Sequence, residues 1–512
     1  MSSAQVINRS SSVMPEEAQR RDVSQLKEQI ARSKSLCSQT KEETLKMRLK
    51  HVGPSCTLFF KSNPLKMVHG RGQYMYDDAG NEYLDCINNV SHVGHGNVRV
   101  AEAVGRQLSL LNTNSRFLHE NLSIYAKRLT DHFPPHLSVC YLVNSGSEAN
   151  DLAIRLARAH TGRKDIVAVD GAYHGNLTST MAISPYKTDH LAHHKPCKWA
   201  HVAPLPCAYR GQYTRSELGD ETTIGRLYAD ATAKLIDEVN SSGRQVAAFF
   251  VESMISCGGQ TPLPAGYLRH LQEYLHQNGS LLVCDEVQTG FGRSGKRMWA
   301  FQLDGDDIKP DIVTCGKPIG NGFPISAVIT TREVAESFMA IGTEYFNTFG
   351  GNPASCAAAL AVLDELEEKN LMEQANRVGS FILAELRELQ KSSRTMGDVR
   401  GCGYFIGIEM VENLKTKRAS QEFAQFIVER FRDERILMNT EGKLGNVLKF
   451  KPPMVFNMDD ARRFIRVFSA ALTELELKLG HLSDNNTKSR SISSSSASSC
   501  SSSSWLESSG EL

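Results

Sequence analysis

The middle of the chain alternates between two patterns of apolar and polar positions. Between about residues 100 and 345, stretches with helical periodicity are separated by short apolar runs. The runs typical of buried strands are 139–143, 166–169, 247–251, 281–284, 312–314 and 325–329. Strands that alternate with helices in this way predict an α/β domain over 101–345, with a mostly parallel sheet covered by helices.

The segments on either side predict a smaller unit. Residues 51–100 hold a hairpin signal around the turn at 77–81 and are expected to join the small domain. Residues 346–480 are expected to form a smaller α+β domain. Its predicted elements are a helical stretch over 353–391, a strand at 404–410, a helix at 421–432 and a strand at 447–450.

Both ends of the chain differ from this globular part. Residues 1–50 are a polar leader in which Val23, Leu26 and Ile30 recur at helical spacing, so one helix is expected there. Between residues 491 and 504, 11 of 14 residues are Ser. Such a sequence buries too little apolar surface to offset its ordering entropy, so residues 481–512 are predicted to be a disordered tail.

Composition excludes several classes of function. Lys plus Arg total 58 and Asp plus Glu total 57, for a formal net charge of +1. This balance argues against a nucleic-acid partner and against a polybasic membrane anchor. No run of 18 apolar residues occurs, so no transmembrane helix is expected. The 12 cysteines include no CxxC pair, which argues against a bound metal and favours a reducing compartment.

The first residues bear on the compartment. Residues 1–14 are rich in Ser, include Arg9 and lack acidic side chains, which favours a mitochondrial presequence and a matrix location. Glu16 and Glu17 interrupt this pattern, so a cytoplasmic protein is the alternative.

The residues that follow the apolar runs suggest one binding site. Ligands of open α/β sheets bind at the carboxyl ends of the strands. The polar residues found there are Ser145, Gly146, Ser147, Tyr173, His174, Glu252, Asp285, Gln288 and Lys317. A helix start that binds anions, an aromatic ring, a carboxylate and a lysine are together what pyridoxal 5′-phosphate requires.

Two other interpretations compete with this one. Residues 290–296 read Gly-Phe-Gly-Arg-Ser-Gly-Lys and fit the first seven positions of a phosphate-binding P-loop, which would indicate a P-loop NTPase. The eighth position should be Ser or Thr and is Arg297. A non-enzymatic scaffold is the other alternative, and it leaves the strand-end residues unexplained.

Five ordered motifs make the chain resemble the class-III aminotransferases, pyridoxal-phosphate enzymes of fold type I, over about residues 55–475. The motifs are Asn-Ser-Gly-Ser-Glu-Ala-Asn at 144–150, Tyr-His-Gly at 173–175, Asp-Glu-Val-Gln-Thr-Gly-Phe-Gly-Arg-Ser-Gly at 285–295, Gly-Lys-Pro-Ile-Gly-Asn-Gly at 316–322 and Thr-Phe-Gly-Gly-Asn-Pro at 348–353.

This resemblance implies a role for each matching residue. Lys317 would form the Schiff base with the cofactor and move the proton, and Asp285 would pair with the ring nitrogen. The other implied cofactor contacts are Gln288 at the ring hydroxyl, Tyr173 stacked on the ring, Ser145, Gly146 and Ser147 at the phosphate, and His174 and Glu252 beside them. Thr348 would reach the phosphate of the partner subunit, because the family's site lies at a homodimer interface.

Two departures from the family pattern concern the substrate. Family members typically read Glu-Pro-x-Gln-Gly-Glu where this chain has Glu-Ser-Met-Ile-Ser-Cys at 252–257, and several carry an Arg where this chain has Lys449. Lys does not bind carboxylate in the bidentate manner of Arg, which makes ordinary exchange with a 2-oxo acid doubtful.

The altered segments resemble the branch of the family that contains the ethanolamine-phosphate and 5-phosphohydroxylysine phospho-lyases. The expected reaction is elimination of phosphate and ammonia from such an amine, with Arg116, Lys449 and Lys451 as candidate cations for the leaving phosphate. A class-III transaminase, of the alanine–glyoxylate or omega-amino type, is the alternative.

Overall fold

The computed structural model describes residues 28–33, 35, 38–189, 191 and 196–492, with side chains described as far as residue 480. The predicted presequence, Val23 and Leu26 of the predicted leader helix, and residues 493–512 of the predicted tail lie outside the described residues. Within the leader, a helix spans Lys41–His51. The last helix continues to Ile492, because residues 481–490 contain no Gly or Pro to end it.

Helices and strands alternate through most of the described chain. The helices are α1 Lys41–His51, α2 Val98–Leu110, α3 Glu120–Asp131, α4 Gly146–Thr161, α5 Thr178–Ala182, α6 Pro185–Thr188, α7 Arg215–Leu218, α8 Glu221–Ser241, α9 Tyr267–Gln277, α10 Arg332–Met339, α11 Pro353–Glu368, α12 Leu371–Ser392, α13 Gln421–Asp433 and α14 Met458–Ile492. The strands are β1 Met67–Arg71, β2 Tyr74–Asp77, β3 Glu82–Asp85, β4 Val139–Val143, β5 Asp165–Val169, β6 Ala200–Ala203, β7 Val246–Glu252, β8 Met254–Ile255, β9 Thr261–Pro262, β10 Leu281–Asp285, β11 Ile312–Cys315, β12 Ser326–Thr330, β13 Met396–Cys402, β14 Phe405–Asn413, β15 Arg418–Ala419, β16 Ile436–Leu437, β17 Asn439–Glu441 and β18 Val447–Phe450.

A seven-stranded sheet forms the centre of the fold, in the order β4-β12-β11-β10-β7-β5-β6. Strand β12 is antiparallel to both of its neighbours, and the other pairs are parallel. The predicted, mostly parallel α/β sheet is therefore confirmed. Successive side chains point to opposite faces, so Phe250 packs in one hydrophobic core while Phe249 and Val251 pack in the other.

Three smaller sheets lie outside this centre. Two have the strand orders β1-β2-β3-β16 and β13-β14-β18-β17, with β15 paired to β14 in the second, and the third is the pair β8-β9. Strand β16 pairs in parallel with β3, so the segment at 51–100 is bound to the C-terminal part of the chain. This pairing supports the proposed division into a large domain over 101–345 and a small domain over 346–480 that 51–100 joins.

The C-terminal part contains more elements than the sequence predicted, and two of the differences have a clear local cause. The single helix expected over 353–391 is two helices, because Asn370 adopts a left-handed φ of 49° and the chain turns there. Strand β13 was not predicted, because Gly397 and Gly401 interrupt its apolar pattern.

Candidate active site

A cavity of about 360 Å³ lies at the carboxyl ends of the central strands. It is lined by eight of the residues predicted from the sequence, namely Ser145, Gly146, Ser147, Tyr173, His174, Asp285, Gln288 and Lys317. Five other predicted residues do not line it: Glu252, Thr348, Arg116, Lys449 and Lys451. The parallel sheet brings the eight together because the loops that follow its strands meet at one edge.

The start of helix α4 forms one wall of this cavity. Ser145 caps the helix and its Oγ accepts the backbone N–H of Glu148 at 3.2 Å. The N–H groups of Gly146 and Ser147 have no acceptor within the helix and are therefore available to an anion. A Cβ on Gly146 would lie 2.8 Å from Cγ1 of Val287, so only glycine allows the helix to approach the end of β10 so closely.

Asp285 lies at the floor of the cavity in a set of hydrogen bonds that fixes its orientation. Its Oδ2 accepts from Nδ1 of His174 and from Nδ2 of Asn150, each at 2.8 Å. Its Oδ1 accepts the N–H of Val287 at 2.9 Å. The hydroxyl of Thr314 donates to Oδ1 of Asn150 at 2.8 Å, which orients the amide. Sequence reasoning gave Asn150 no role, although it lies within a motif that it identified.

Two hydrogen bonds to the amide oxygen of Gln288 orient its side chain. Its Oε1 accepts from Nζ of Lys451 at 2.6 Å and from Nδ2 of Asn89 at 2.8 Å. A lysine ammonium can only donate, so the atom beside Lys451 must be the amide oxygen. The NH₂ group of Gln288 is therefore free to donate toward a ring hydroxyl in the cavity.

Lys317 lines the same cavity as the start of helix α4. Burial lowers its pKa from the usual value, and the positive charge of Lys449 lowers it further, while nearby Cys257 and Asp285 act in the opposite direction. An unprotonated amine is a nucleophile and a base, which suits Lys317 to attack a carbonyl carbon and to take a proton.

Glu252 supports the aromatic wall without lining the cavity. Its two carboxylate oxygens accept the N–H of Tyr173 and the N–H of Ser256, both at 3.0 Å. It therefore joins the loop of the predicted stacking residue to the loop that follows β8. Burial raises the pKa of the Glu252 carboxyl.

Lys449 and Lys451 lie on the Gln288 side of the cavity. They are two residues apart at the end of β18, so their side chains leave the same face of the strand. Lys451 is completely buried, and its Nζ donates to Oγ of Ser256 at 2.6 Å as well as to Gln288. Burial, followed by the charge of Lys449, holds the pKa of Lys451 well below its usual value.

Arg116 and Thr348 lie on the surface of this chain. The Arg116 guanidinium forms a two-point ion pair with Glu344, at 3.1 and 2.9 Å, and covers the ring of Phe346 at 3.8 Å. Thr348 follows in the same segment and is exposed. Neither residue reaches the cavity of its own subunit.

The P-loop hypothesis is wrong. No helix begins directly after residues 290–296, which form turns and bends, and the next element is a short 3₁₀ helix at Ala300–Asp304. The Arg293 side chain is fully buried, and its Nη1 donates to the carbonyl oxygen of Pro452 at 2.8 Å. A phosphate-binding loop leads directly into a helix and leaves its backbone N–H groups open to the ligand.

A larger cavity of about 750 Å³ lies elsewhere, between β13 and the segment around Tyr209. Several of its charged side chains are paired within the protein. Arg400 contacts Asp398 at 2.9 Å and Glu409 at 2.6 Å, and Lys417 donates to the carbonyl oxygen of Tyr209 at 2.8 Å. None of the residues predicted from the sequence for the cofactor or the substrate lines this cavity.

The donors at the strand ends fit pyridoxal 5′-phosphate. The N–H groups at the start of α4 suit its phosphate, the NH₂ of Gln288 suits its ring hydroxyl, and Asp285 suits its ring nitrogen. Among the described residues, no group of His, Cys, Asp and Glu could hold a metal ion. Across the same described ranges, no helix is long and apolar enough to cross a membrane.

Known proteins are similar to this chain in sequence and in fold. The sequence model of the class-III aminotransferases matches residues 60–472. A Drosophila melanogaster protein named alanine–glyoxylate aminotransferase 2-like is 45% identical over 85% of this chain and 87% of its own. A Caenorhabditis elegans ethanolamine-phosphate phospho-lyase homolog is 41% identical over 85% of this chain and 94% of its own.

A solved structure agrees with these relatives. A phospholyase from Arthrobacter, in complex with phosphoethanolamine, superposes with a TM-score of 0.78 at 35% identity, covering 84% of this chain and 99% of its own. The chain therefore belongs to the class-III aminotransferase family and is a pyridoxal-phosphate-dependent enzyme of fold type I.

Proposed function

We propose that this enzyme is a phospho-lyase that eliminates phosphate and ammonia from a small phosphorylated amine, either phosphoethanolamine or 5-phosphohydroxylysine. The observation that carries the proposal is the pair of lysines beside the cofactor site. Lys451 is buried with two neutral partners, Ser256 and Gln288, and Lys449 lies two residues before it.

This pair suits a phosphate better than a carboxylate. Arg binds a carboxylate through two parallel hydrogen bonds, whereas Lys is a point charge with three donors and commonly binds phosphate. A buried ammonium without a carboxylate partner is costly, so an anionic ligand would be strongly stabilised there. A leaving phosphate needs such cations, because they stabilise the charge that develops as the C–O bond breaks.

The names of the relatives support this reaction and also its alternative. The worm relative is named for ethanolamine-phosphate phospho-lyase, and the Arthrobacter phospholyase was solved with phosphoethanolamine. The fly relative is named for alanine–glyoxylate aminotransferase, as is a human protein that is 34% identical over 84% of this chain. A transaminase that passes an amino group to a 2-oxo acid is therefore the second candidate.

The side chains would divide the work as follows. The bound cofactor supplies an electron-accepting ring for the electron pair of the amine-bearing carbon. Lys317 takes the proton from that carbon, and Asp285 keeps the ring nitrogen protonated. Lys449 and Lys451 bind the phosphate and stabilise its departure. The net reaction consumes one water and releases an aldehyde or semialdehyde, ammonia and phosphate.

We propose that the enzyme works as a homodimer. Several apolar side chains are exposed close to Arg116 and Thr348 along the chain, namely Leu108, Leu110, Leu111, Phe117, Leu118, Ile341 and Phe349. Exposed apolar side chains that are grouped in this way favour a protein interface. A second copy would cover it and would receive Thr348, and Arg116 with it, at its own cofactor site.

We propose a mitochondrial location, with the cytoplasm as the alternative. The human relative, and an Arabidopsis thaliana relative that is also 34% identical, are named as mitochondrial. The names of the fly and worm relatives state no compartment. Imaging the full chain with a C-terminal fluorescent tag against a matrix marker decides between the two.

Turnover with defined substrates tests the proposed reaction. Purified holoenzyme is incubated with phosphoethanolamine and, separately, with 5-phosphohydroxylysine, while phosphate, ammonia and the cofactor spectrum are followed together. We expect catalytic phosphate release with one of them and a cofactor spectrum that returns to its starting form. Amino transfer from alanine to glyoxylate without phosphate release from either amine would establish the transaminase instead.

A further inference from the structure

The hairpin of β17 and β18 places a carboxylate beside Lys449. In its antiparallel register, Glu441 is opposite Val447 and Asn439 is opposite Lys449. Glu441 and Lys449 are therefore diagonal neighbours on one face, within reach of long side chains. They form an ion pair in which both side chains are largely buried, at 12% and 10% exposure.

A second contact holds Glu441 from the large domain. The hydroxyl of Tyr186 donates to Oε2 of Glu441 at 2.9 Å, while Oε1 accepts from Lys449. The Tyr186 ring packs edge-on against Tyr173, the predicted stacking residue, with the ring centres 6.4 Å apart. Glu441 thus lies between the proposed phosphate-binding lysine and the aromatic wall of the cofactor site.

The residue at the family's usual acidic position does not supply this charge. Burial, together with the charges of Glu441 and Glu252, raises the pKa of the Cys257 thiol to about 12. The thiol is therefore neutral at physiological pH, so the negative charge beside Lys449 comes from Glu441 and not from Cys257. The turn after Glu441 packs against the loop that contains Cys257, since the N–H of Gly442 donates to the carbonyl oxygen of Cys257 at 3.1 Å.

We propose that Glu441 is the resting counter-ion of Lys449, and that the phosphate group of the substrate displaces it. This inference rests on the proposed phospho-lyase function. Without a ligand, Glu441 neutralises Lys449 and reduces its repulsion of Lys451. A carboxylate ligand would replace one carboxylate by another, whereas a phosphate dianion brings a second negative charge for Lys451. Glu441 therefore weakens the binding of a singly charged carboxylate more than the binding of a doubly charged phosphomonoester.

Equilibrium binding of inorganic phosphate to the holoenzyme, measured by calorimetry, tests the proposal. Glu441→Gln removes the competing charge and keeps the shape, so we expect phosphate to bind about tenfold more tightly, a change of about 1.4 kcal/mol. Glu412→Gln is the matched control, because Glu412 pairs with Arg418 in the same domain and outside the site. We expect the control to change the dissociation constant less than twofold.

A double variant distinguishes a counter-ion from a structural residue. If Glu441 acts through Lys449, Glu441→Gln has less than a twofold effect in the Lys449→Met background. Unchanged or weaker phosphate binding in the single variant, or an undiminished effect in the double variant, would overturn the proposal. Should Glu441→Gln fail to fold, phosphate binding is measured in Tyr186→Phe instead. This variant keeps the Glu441 carboxylate but removes the hydrogen bond from Tyr186, so phosphate should displace Glu441 more easily. Tighter phosphate binding then supports the proposal, and an unchanged dissociation constant refutes it.

The two proposals fail separately. If wild-type enzyme releases phosphate from a phosphorylated amine but Glu441→Gln binds phosphate as wild type does, only the counter-ion assignment is wrong. If neither amine is cleaved while Glu441→Gln still binds phosphate more tightly in a Lys449-dependent way, the counter-ion assignment stands and the phospho-lyase assignment fails.

Discussion

Asn150 donates a 2.8 Å hydrogen bond to Oδ2 of Asp285, the same oxygen that accepts from His174. Two donors on one oxygen, with the N–H of Val287 on the other, fix the orientation of the carboxylate before the cofactor binds. Preorganised groups of this kind lose little free energy to reorientation during a reaction.

Asp285→Asn is expected to lower the turnover number by about 10³-fold, because an amide cannot keep the ring nitrogen protonated. The protein should still fold, since Asn has the size of Asp. Steady-state rates and the melting temperature measure the two effects. A loss below tenfold would show that Asp285 is not the partner of the ring nitrogen, and Asn150→Ala should cost less than Asp285→Asn.

Lys317→Ala should abolish turnover and change the visible absorbance of the bound cofactor, because the amine that bonds to its aldehyde is gone. Absorbance of the dialysed protein and a phosphate-release assay measure both effects. Near-normal activity in this variant would remove the whole catalytic assignment.

Gly146→Ala should weaken binding of pyridoxal phosphate by about tenfold or more, because the new methyl group would lie 2.8 Å from Val287 and push the helix start away from β10. Gly105→Ala is the control, since a Cβ at that helical position meets no atom within 4 Å. Fluorescence titration of the apoenzyme with the cofactor compares them. Equal affinities in the two variants would show that the close approach is unimportant.

Phosphate binding should take up a proton through Lys451. Burial keeps the pKa of Lys451 well below its usual value, so the free side chain loses its proton at a lower pH than an ordinary lysine. A bound dianion favours the charged form and raises that pKa, so protons are taken up between the free and bound values. Affinity should rise as the ligand becomes dianionic and fall again as free Lys451 deprotonates.

Calorimetry in buffers of different ionisation enthalpy measures this proton uptake directly. Lys451→Met should remove both the uptake and the alkaline loss of affinity. Proton uptake that persists unchanged in Lys451→Met would assign the titration to another group.

Mixing two inactive variants tests the proposed dimer. If Thr348 serves the partner's site, a hybrid of one Lys317→Ala subunit and one Thr348→Arg subunit holds one intact site and one doubly defective site. Random reassociation should then restore about a quarter of wild-type activity. If Thr348 serves its own subunit, every hybrid site carries one defect and no activity returns.

The sequence predicted those parts of the molecule that depend on local pattern. Buried apolar runs predict the central strands. Because the residues that follow parallel strands meet at one edge of the sheet, the sequence also predicted that Ser147, Asp285 and Lys317 share one site. Glu441 was missed because its partner depends on hairpin register, which apolar periodicity does not specify when the strand is three residues long. The break at Asn370 was missed because a non-glycine residue rarely adopts positive φ.

The amide oxygen of Gln288 accepts from Lys451 and Asn89 at once, so we expect a phosphate that binds Lys451 to change the contact between Gln288 and the cofactor. If a phosphate draws the Lys451 ammonium away, Gln288 would lose one of its two donors, and the contact that its NH₂ would make with the ring hydroxyl should weaken or turn. The visible absorbance of the cofactor would then change when phosphate binds, even without an amine substrate. Adding inorganic phosphate alone should shift the visible spectrum of the wild-type holoenzyme, and the shift should vanish in Lys451→Met.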